Sequence, residues 1–156
     1  MTTTCVAYGA GYRNLGLGLF DFSTHTFKMA LTTSGYTPDS DVDEFFADIT
    51  HEISGAGYTA GGQALTGLTW LYDTTNHRCV LSGDTVLWAA LTPATRFGVI
   101  YRDTGDPGTS PLLTYVDFGA DLNAGGGPLP VTFPDGVFRL LTPDPGPTGL
   151  RLAEEY

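Results

Sequence analysis

Arg96-Phe97-Gly98-Val99-Ile100-Tyr101 is the stretch that decides the fold. It is a short, mostly apolar run with β-branched and aromatic residues, the composition of a buried strand. After a polar break comes Leu112-Leu113-Thr114-Tyr115-Val116-Asp117-Phe118, which alternates in the manner of a second strand.

The same signals recur on both sides of this pair. Leu15, Leu17 and Leu19 alternate with Gly16 and Gly18, and Phe20, Phe22, Phe27, Met29 and Leu31 continue a period-two pattern. The pattern breaks at residues 23–26, which predicts a strand, a turn and a strand. Asp21, Ser23 and Thr24 suit the turn, because their side chains bond nearby backbone amides. Further strands are expected over residues 65–72, 78–81, 85–89, 129–133 and 137–141. Residues 73–77 and Pro134-Asp135-Gly136 carry the turn chemistry. About eight to ten short strands with frequent turn signals predict a mostly β fold, an antiparallel β-sandwich or barrel.

One short helix is expected, near residues 41–48. Asp41 with Glu44 three residues later fits a capping box, and Val42, Phe45, Phe46 and Ile49 fall at helical spacing. Residues 33–39 form a loop around Pro38, and residues 54–62 hold four glycines, too many for a helix or central strand. Residues 1–15 carry little alternation and are expected as an N-terminal arm. Residues 16–141 make the β domain. Residues 142–156 make a C-terminal arm, extended by the prolines of Thr-Pro-Asp-Pro-Gly-Pro-Thr-Gly at its start.

The chain has 156 residues, the size of one domain, and is 42% hydrophobic, an ordinary globular share. Its net charge is −10, with seven Lys plus Arg. Such a field repels phosphate, so neither nucleic acid nor an anionic membrane is an expected partner. No apolar run reaches the length of a membrane span, and Met-Thr-Thr-Thr-Cys-Val-Ala-Tyr lacks the basic leader and apolar segment of a signal peptide. Synthesis in a host cytoplasm is therefore expected, with Cys5 and Cys79 as free thiols.

Candidate chemistry is sparse. Asp39, Asp41 and Asp43 alternate as in a calcium loop, but Glu44 and Thr50 stand where such a loop needs its turn glycine and its bidentate glutamate. His25, His51 and His77 lie far apart beside predicted turns, unlike a zinc site. No G-x-S-x-G elbow occurs. Cys79 follows Arg78 and His77 but sits in a predicted strand, where an inward, inert thiol is expected. Gly9-Ala10-Gly11 and Gly55-Ala56-Gly57 match half of a dinucleotide fingerprint, without the βαβ setting and without a following helix. Trp70, Tyr72, Trp88 and Tyr101 could form a sugar-binding platform, but packing in the core or across strands is what is expected of them. No catalytic, cofactor-binding or metal-ligating residue is therefore assigned, and no enzyme activity is expected.

Three segments resemble a family of tailed-bacteriophage virion structural proteins. Residues 27–39 contain a lysine-bearing strand followed by Thr33-Ser34-Gly35-Tyr36-Thr37-Pro38-Asp39, matching a T-S-x-Y-x-P-x-x-D pattern. Residues 43–62 include Glu52-Ile53-Ser54-Gly55-Ala56-Gly57-Tyr58-Thr59-Ala60-Gly61-Gly62, similar to E-V-x-G-x-G-Y-x-x-G-G. Leu113-Thr114-Tyr115-Val116-Asp117-Phe118-Gly119 is the third match. The resemblance implies a β-rich particle protein and transfers no catalytic residue. Its leading implication is a capsid decoration (cement) protein on the virion surface. Such a protein binds the major capsid protein and associates with itself as a trimer, with residues 1–15 and 142–156 as contact arms. A tail, neck or fibre-base component is the alternative, and a carbohydrate-binding β-sandwich, which needs an exposed Trp70 or Trp88, is the alternative from another class.

Overall fold

The computed structural model describes residues 5–141. They form ten strands: β1 (Cys5–Ala7), β2 (Phe27–Thr32), β3 (Gln63–Ala64), β4 (Thr69–Asp73), β5 (Arg78–Ser82), β6 (Val86–Leu91), β7 (Thr95–Arg102), β8 (Leu112–Leu122), β9 (Gly127–Val131) and β10 (Phe138–Leu141). One α-helix, α1 (Gly9–Gly16), and two short 3-10 turns, Phe46–Asp48 and Pro107–Thr109, complete the described residues. The strands pair antiparallel throughout, in sheets ordered β1-β8-β7-β2-β3, β10-β5-β4 and β6-β9. The fold is mostly β and sandwich-like, as the strand signals predict.

The five-stranded sheet is buried on both faces, which is why its central strands read as nearly continuous apolar runs. On one face Phe27, Met29, Leu31, Ile100, Leu113 and Val116 meet Leu81, Trp88, Leu129, Val131 and Phe138 from the two smaller sheets. On the other face Ala30, Val99, Tyr101 and Leu112 pack with Tyr8, Tyr36 and the side chains of Phe46 and Ile49. Burying each large apolar side chain stabilises the fold by about 1.5–3 kcal/mol. The register of β7 with β8 shifts between Ile100↔Thr114 and Tyr101↔Leu112. The shift makes Leu113 an extra residue, so Leu112 and Leu113 are both buried, one in each core.

Residues 5–15 do not form an arm. β1 pairs with β8 in the register Cys5↔Val116, and Tyr8 is buried with its amide donating to the Leu113 carbonyl at 3.1 Å. α1 carries three glycines in eight residues, a poor helix by propensity. Packing overrides that cost: a Cβ on Gly11 would lie 2.6 Å from the Leu113 oxygen, so only glycine lets the helix rest on β8. α1 ends as helices commonly do, with Gly18 in the left-handed region at φ 74°. The strand expected over Leu15 to Phe22 is therefore absent: Leu15 closes the helix, and Phe20 and Phe22 sit in a loop. Residues 1–4 and the expected arm at 142–156 lie outside the described residues.

The helix expected near residues 41–48 is replaced by the 3-10 turn Phe46–Asp48. The backbone before it is held extended against the segment preceding β8: the Phe46 amide donates to the Ser110 carbonyl at 2.8 Å, and the Leu112 amide to the Glu44 carbonyl at 3.0 Å. The expected box between Asp41 and Glu44 does not form. Glu44 pairs instead with Arg13 of α1, and Asp48 Oδ2 accepts the amides of Glu44 and Phe45 at 3.0 and 2.9 Å. The turns at residues 73–77 and 134–136 form as predicted. Asp73 Oδ1 accepts the Thr75 amide at 3.0 Å, and Gly136, at φ 85°, donates to the Phe133 carbonyl at 3.1 Å.

Candidate functional site

Two tyrosine–carboxylate clusters fasten the loops of residues 33–62, the first to Tyr8 ahead of α1 and the second to β2. In the first, the Tyr36 hydroxyl donates to Asp43 Oδ2 at 2.7 Å and stands 2.8 Å from the Tyr8 hydroxyl. Tyr36 has one proton to give, so Tyr8 is the donor to Tyr36. Asp43 Oδ2 also accepts the Asp39 amide at 3.0 Å. Both rings are buried, and burial pushes both hydroxyls well above the ordinary tyrosine value. The pair is therefore neutral, and it locks the loop over the second core.

In the second cluster Glu52 is the hub. Its Oε1 accepts from the Tyr58 hydroxyl and from the Gly61 amide, both at 2.6 Å. The Tyr58 oxygen in turn accepts the Leu31 amide of β2 at 3.1 Å, and the Tyr101 hydroxyl donates to the Gly61 carbonyl at 2.7 Å. Burial raises the hydroxyls of Tyr58 and Tyr101 too. Gly62 crosses β2 so closely, at φ 82°, that a Cβ would collide with the Met29 carbonyl, and a Cβ on Gly57 would collide with the Ala90 carbonyl. Glycines at these two places are a requirement of chain crossing.

These clusters account physically for the segments singled out in the sequence. Tyr36, Glu52, Tyr58, Gly61 and Gly62 serve to close loops against the central sheet, Gly57 closes its loop against β6, and Leu113 to Gly119 lies in β8 of the central sheet. No family model, curated protein or solved structure matches the chain.

The remaining candidates are scattered. Four of the carboxylates of residues 39–48 are engaged with the chain itself: Asp39 Oδ1 accepts the Asp41 amide at 3.0 Å, and Asp43, Glu44 and Asp48 have the partners given above. Among the described residues no group of three or more His, Cys, Asp or Glu is placed to hold a metal ion. His25 Nδ1 accepts the Asp21 amide at 2.9 Å, His51 Nδ1 lies 3.0 Å from the Thr50 hydroxyl, and His77 sits in the β4–β5 turn at φ 52°. They occupy three separate loops. Gly9-Ala10-Gly11 opens the helix α1, with Asn14 where a dinucleotide fingerprint has its third glycine. Its Gly9 amide is bonded to the Ser40 carbonyl at 2.8 Å and its Gly11 amide to the Tyr8 carbonyl at 2.9 Å.

Both cysteines are free. Cys5 lies in a cleft of about 310 Å³ with Tyr12, Phe138 and Arg139. Burial pushes its thiol up to about 12, against the opposing effects of the Thr114 hydroxyl and of Arg139. A thiol held protonated is a poor nucleophile. Trp88 is 1% exposed, and the Trp70 ring is half-buried, 5.2 Å from the Phe22 ring and 6.1 Å from that of Phe138. Trp88 thus offers no open face to a sugar, whereas Trp70 lines an open cleft of about 670 Å³ with Phe20 and Phe22.

The sequence signals do not reveal the outer edge of the three-stranded sheet. There Leu71 and Tyr72 of β4 are exposed, and Leu140 of β10 is exposed on the opposite edge. The alternation of residues 65–72 predicts a strand, but the neighbours of that strand are set by distant pairing that one sequence does not display.

Proposed function

We propose that this protein is a non-enzymatic structural component of a tailed-bacteriophage particle, a capsid decoration protein that binds the outer surface of the major capsid protein. The observation that carries this reading is the unity of the three resembling segments. The first two follow one another and the third is distant in sequence, yet β2, the loops of residues 33–62 and β8 pack as one unit through Tyr36, Glu52, Tyr58 and Gly62. The resemblance therefore falls on residues that fasten the fold, as expected where what is kept in common is a rigid block.

A rigid block suits the task. A decoration protein stabilises a shell by binding its assembled form, and the gain grows with copy number because each site adds a bound-state term. The chain's charge of −10 favours a shell surface that presents basic side chains.

Copy number tests the proposal. Quantitative mass spectrometry of purified virions is expected to find this protein at, or at a simple fraction of, the abundance of the major capsid protein. A handful of copies per particle would move it to the tail, neck or fibre base. Absence from the particle would sink the proposal.

A further inference from the structure

The sheet edges of this molecule are guarded, with one exception. β1 and β3 are three and two residues long. β9 carries Pro128 and Pro130, which cannot donate to a further strand. β6 is broken by a register shift between Trp88 and Leu91, and the four-residue β10 carries Arg139. These are the usual means of preventing one sheet from adding to another. β4, Thr69-Trp70-Leu71-Tyr72-Asp73, has none of them: no proline, no lysine or arginine and no bulge. It pairs with β5 on one side, and no backbone hydrogen bond is made along its other side among the described residues. Leu71 is 66% exposed and Tyr72 52%.

We infer that β4 is a self-association edge, which joins a second copy of this chain antiparallel about a two-fold axis at Leu71. The inference is independent of the phage reading. The five residues are self-complementary in that register. Leu71 faces Leu71 of the second copy, Trp70 faces Tyr72, and Thr69 faces Asp73. The apolar row is extended by Val80 on either side, and the aromatic pair by Leu81 and Cys79, because those residues lie beside Leu71, Trp70 and Tyr72 in β5. Cross-strand aromatic and aliphatic pairs of this kind stabilise sheets.

Charge does not oppose a second copy at this place. The one charged residue of β4 is Asp73, and its ion-pair partner Arg78 lies in β5 of the same copy. Each Asp73 stands between its own Arg78, at 3.5 Å, and the Thr69 hydroxyl of the second copy, so no carboxylate opposes another. A two-fold contact is isologous and closes on itself, so this edge yields a dimer where the resemblance implies a trimer.

Sedimentation equilibrium of the full chain across a concentration series tests the inference. The wild type is expected to approach twice the monomer mass. Leu71→Lys and Leu71→Glu are each expected to sediment at the monomer mass with the circular dichroism of the folded chain unchanged, because the side chain is exposed. An equimolar mixture of the two variants is expected to recover the dimer, since the axis sets position 71 against position 71. In the wild type, hydrogen exchange at residues 69–73 is expected to slow with concentration. The inference is overturned by a wild type that stays monomeric, by an oligomer that both variants leave intact, by a mixture that stays monomeric, or by exchange at residues 69–73 that ignores concentration.

Discussion

Glu52 and Tyr58 act as a unit, and that is measurable. A hydrogen bond to a charged group is worth about 1.5–3 kcal/mol, and a neutral one about 1 kcal/mol. Glu52→Ala removes two short bonds from one carboxylate oxygen and is expected to cost about 2–3 kcal/mol. Tyr58→Phe also strips the Leu31 amide of its acceptor and is expected to cost about 1–2 kcal/mol. The two changes delete the same bond, so the double variant should cost clearly less than their sum. Denaturant midpoints at unchanged slope would measure this, and strict additivity would contradict the network. The sequence singles out Glu52, Tyr58 and the surrounding glycines only through a resemblance. Their task was illegible there because each partner (Leu31, Met29, Ala90, Tyr101) comes from another part of the chain.

The turn of Phe46–Asp48 separates two readings of the acidic segment. Asp48 holds the amides of Glu44 and Phe45, and Phe46 stacks on Tyr101 with centroids 4.1 Å apart. Asp48→Ala is expected to cost about 1 kcal/mol, the usual worth of a cap. It should also speed hydrogen exchange at residues 44–48. Asp41→Ala should stay within about 0.5 kcal/mol, as a surface change does. The opposite ranking would restore the capping box read from the sequence. Legibility at this scale followed where the information lay. β2, β5, β7 and β8 were readable because apolar period and turn residues are local. α1 was hidden because its glycines argue against a helix until Leu113 is known to lie beneath Gly11. The segment of residues 41–48 misled because its helical spacing was genuine, but Ser110 and Leu112 offered its backbone other partners.

For the whole molecule, buried hydroxyls and paired carboxylates set the pH range of stability. Tyr8, Tyr36, Tyr58 and Tyr101 are held above the ordinary value of 10.0, chiefly by burial, so the fold favours their neutral form. Above pH 10 the unfolded chain has released protons that the native chain retains. Stability is therefore full below that pH and falls as the pH rises past it. Asp21 is lowered to about 2 by Ser23, and Asp73, Asp103 and Asp117 are lowered by Asn76, Lys28 and Arg96. Their contribution is full above the ordinary carboxylate value of 3.8 and is lost as the pH falls towards 2. Absorbance titration should show these four tyrosines ionising only together with loss of the native circular dichroism. Ionisation near pH 10 in a still-folded protein would contradict their burial. The pairing of β1 with β8 has a consequence for synthesis. Cys5 emerges from the ribosome early but must wait for Val116 before its strand has a neighbour. Until then the nascent chain holds Tyr8, Phe27 and Met29 without the sheet that buries them. Folding is thereby deferred until β8 has been made, and the chain before that point is a natural client for chaperones that bind exposed apolar segments.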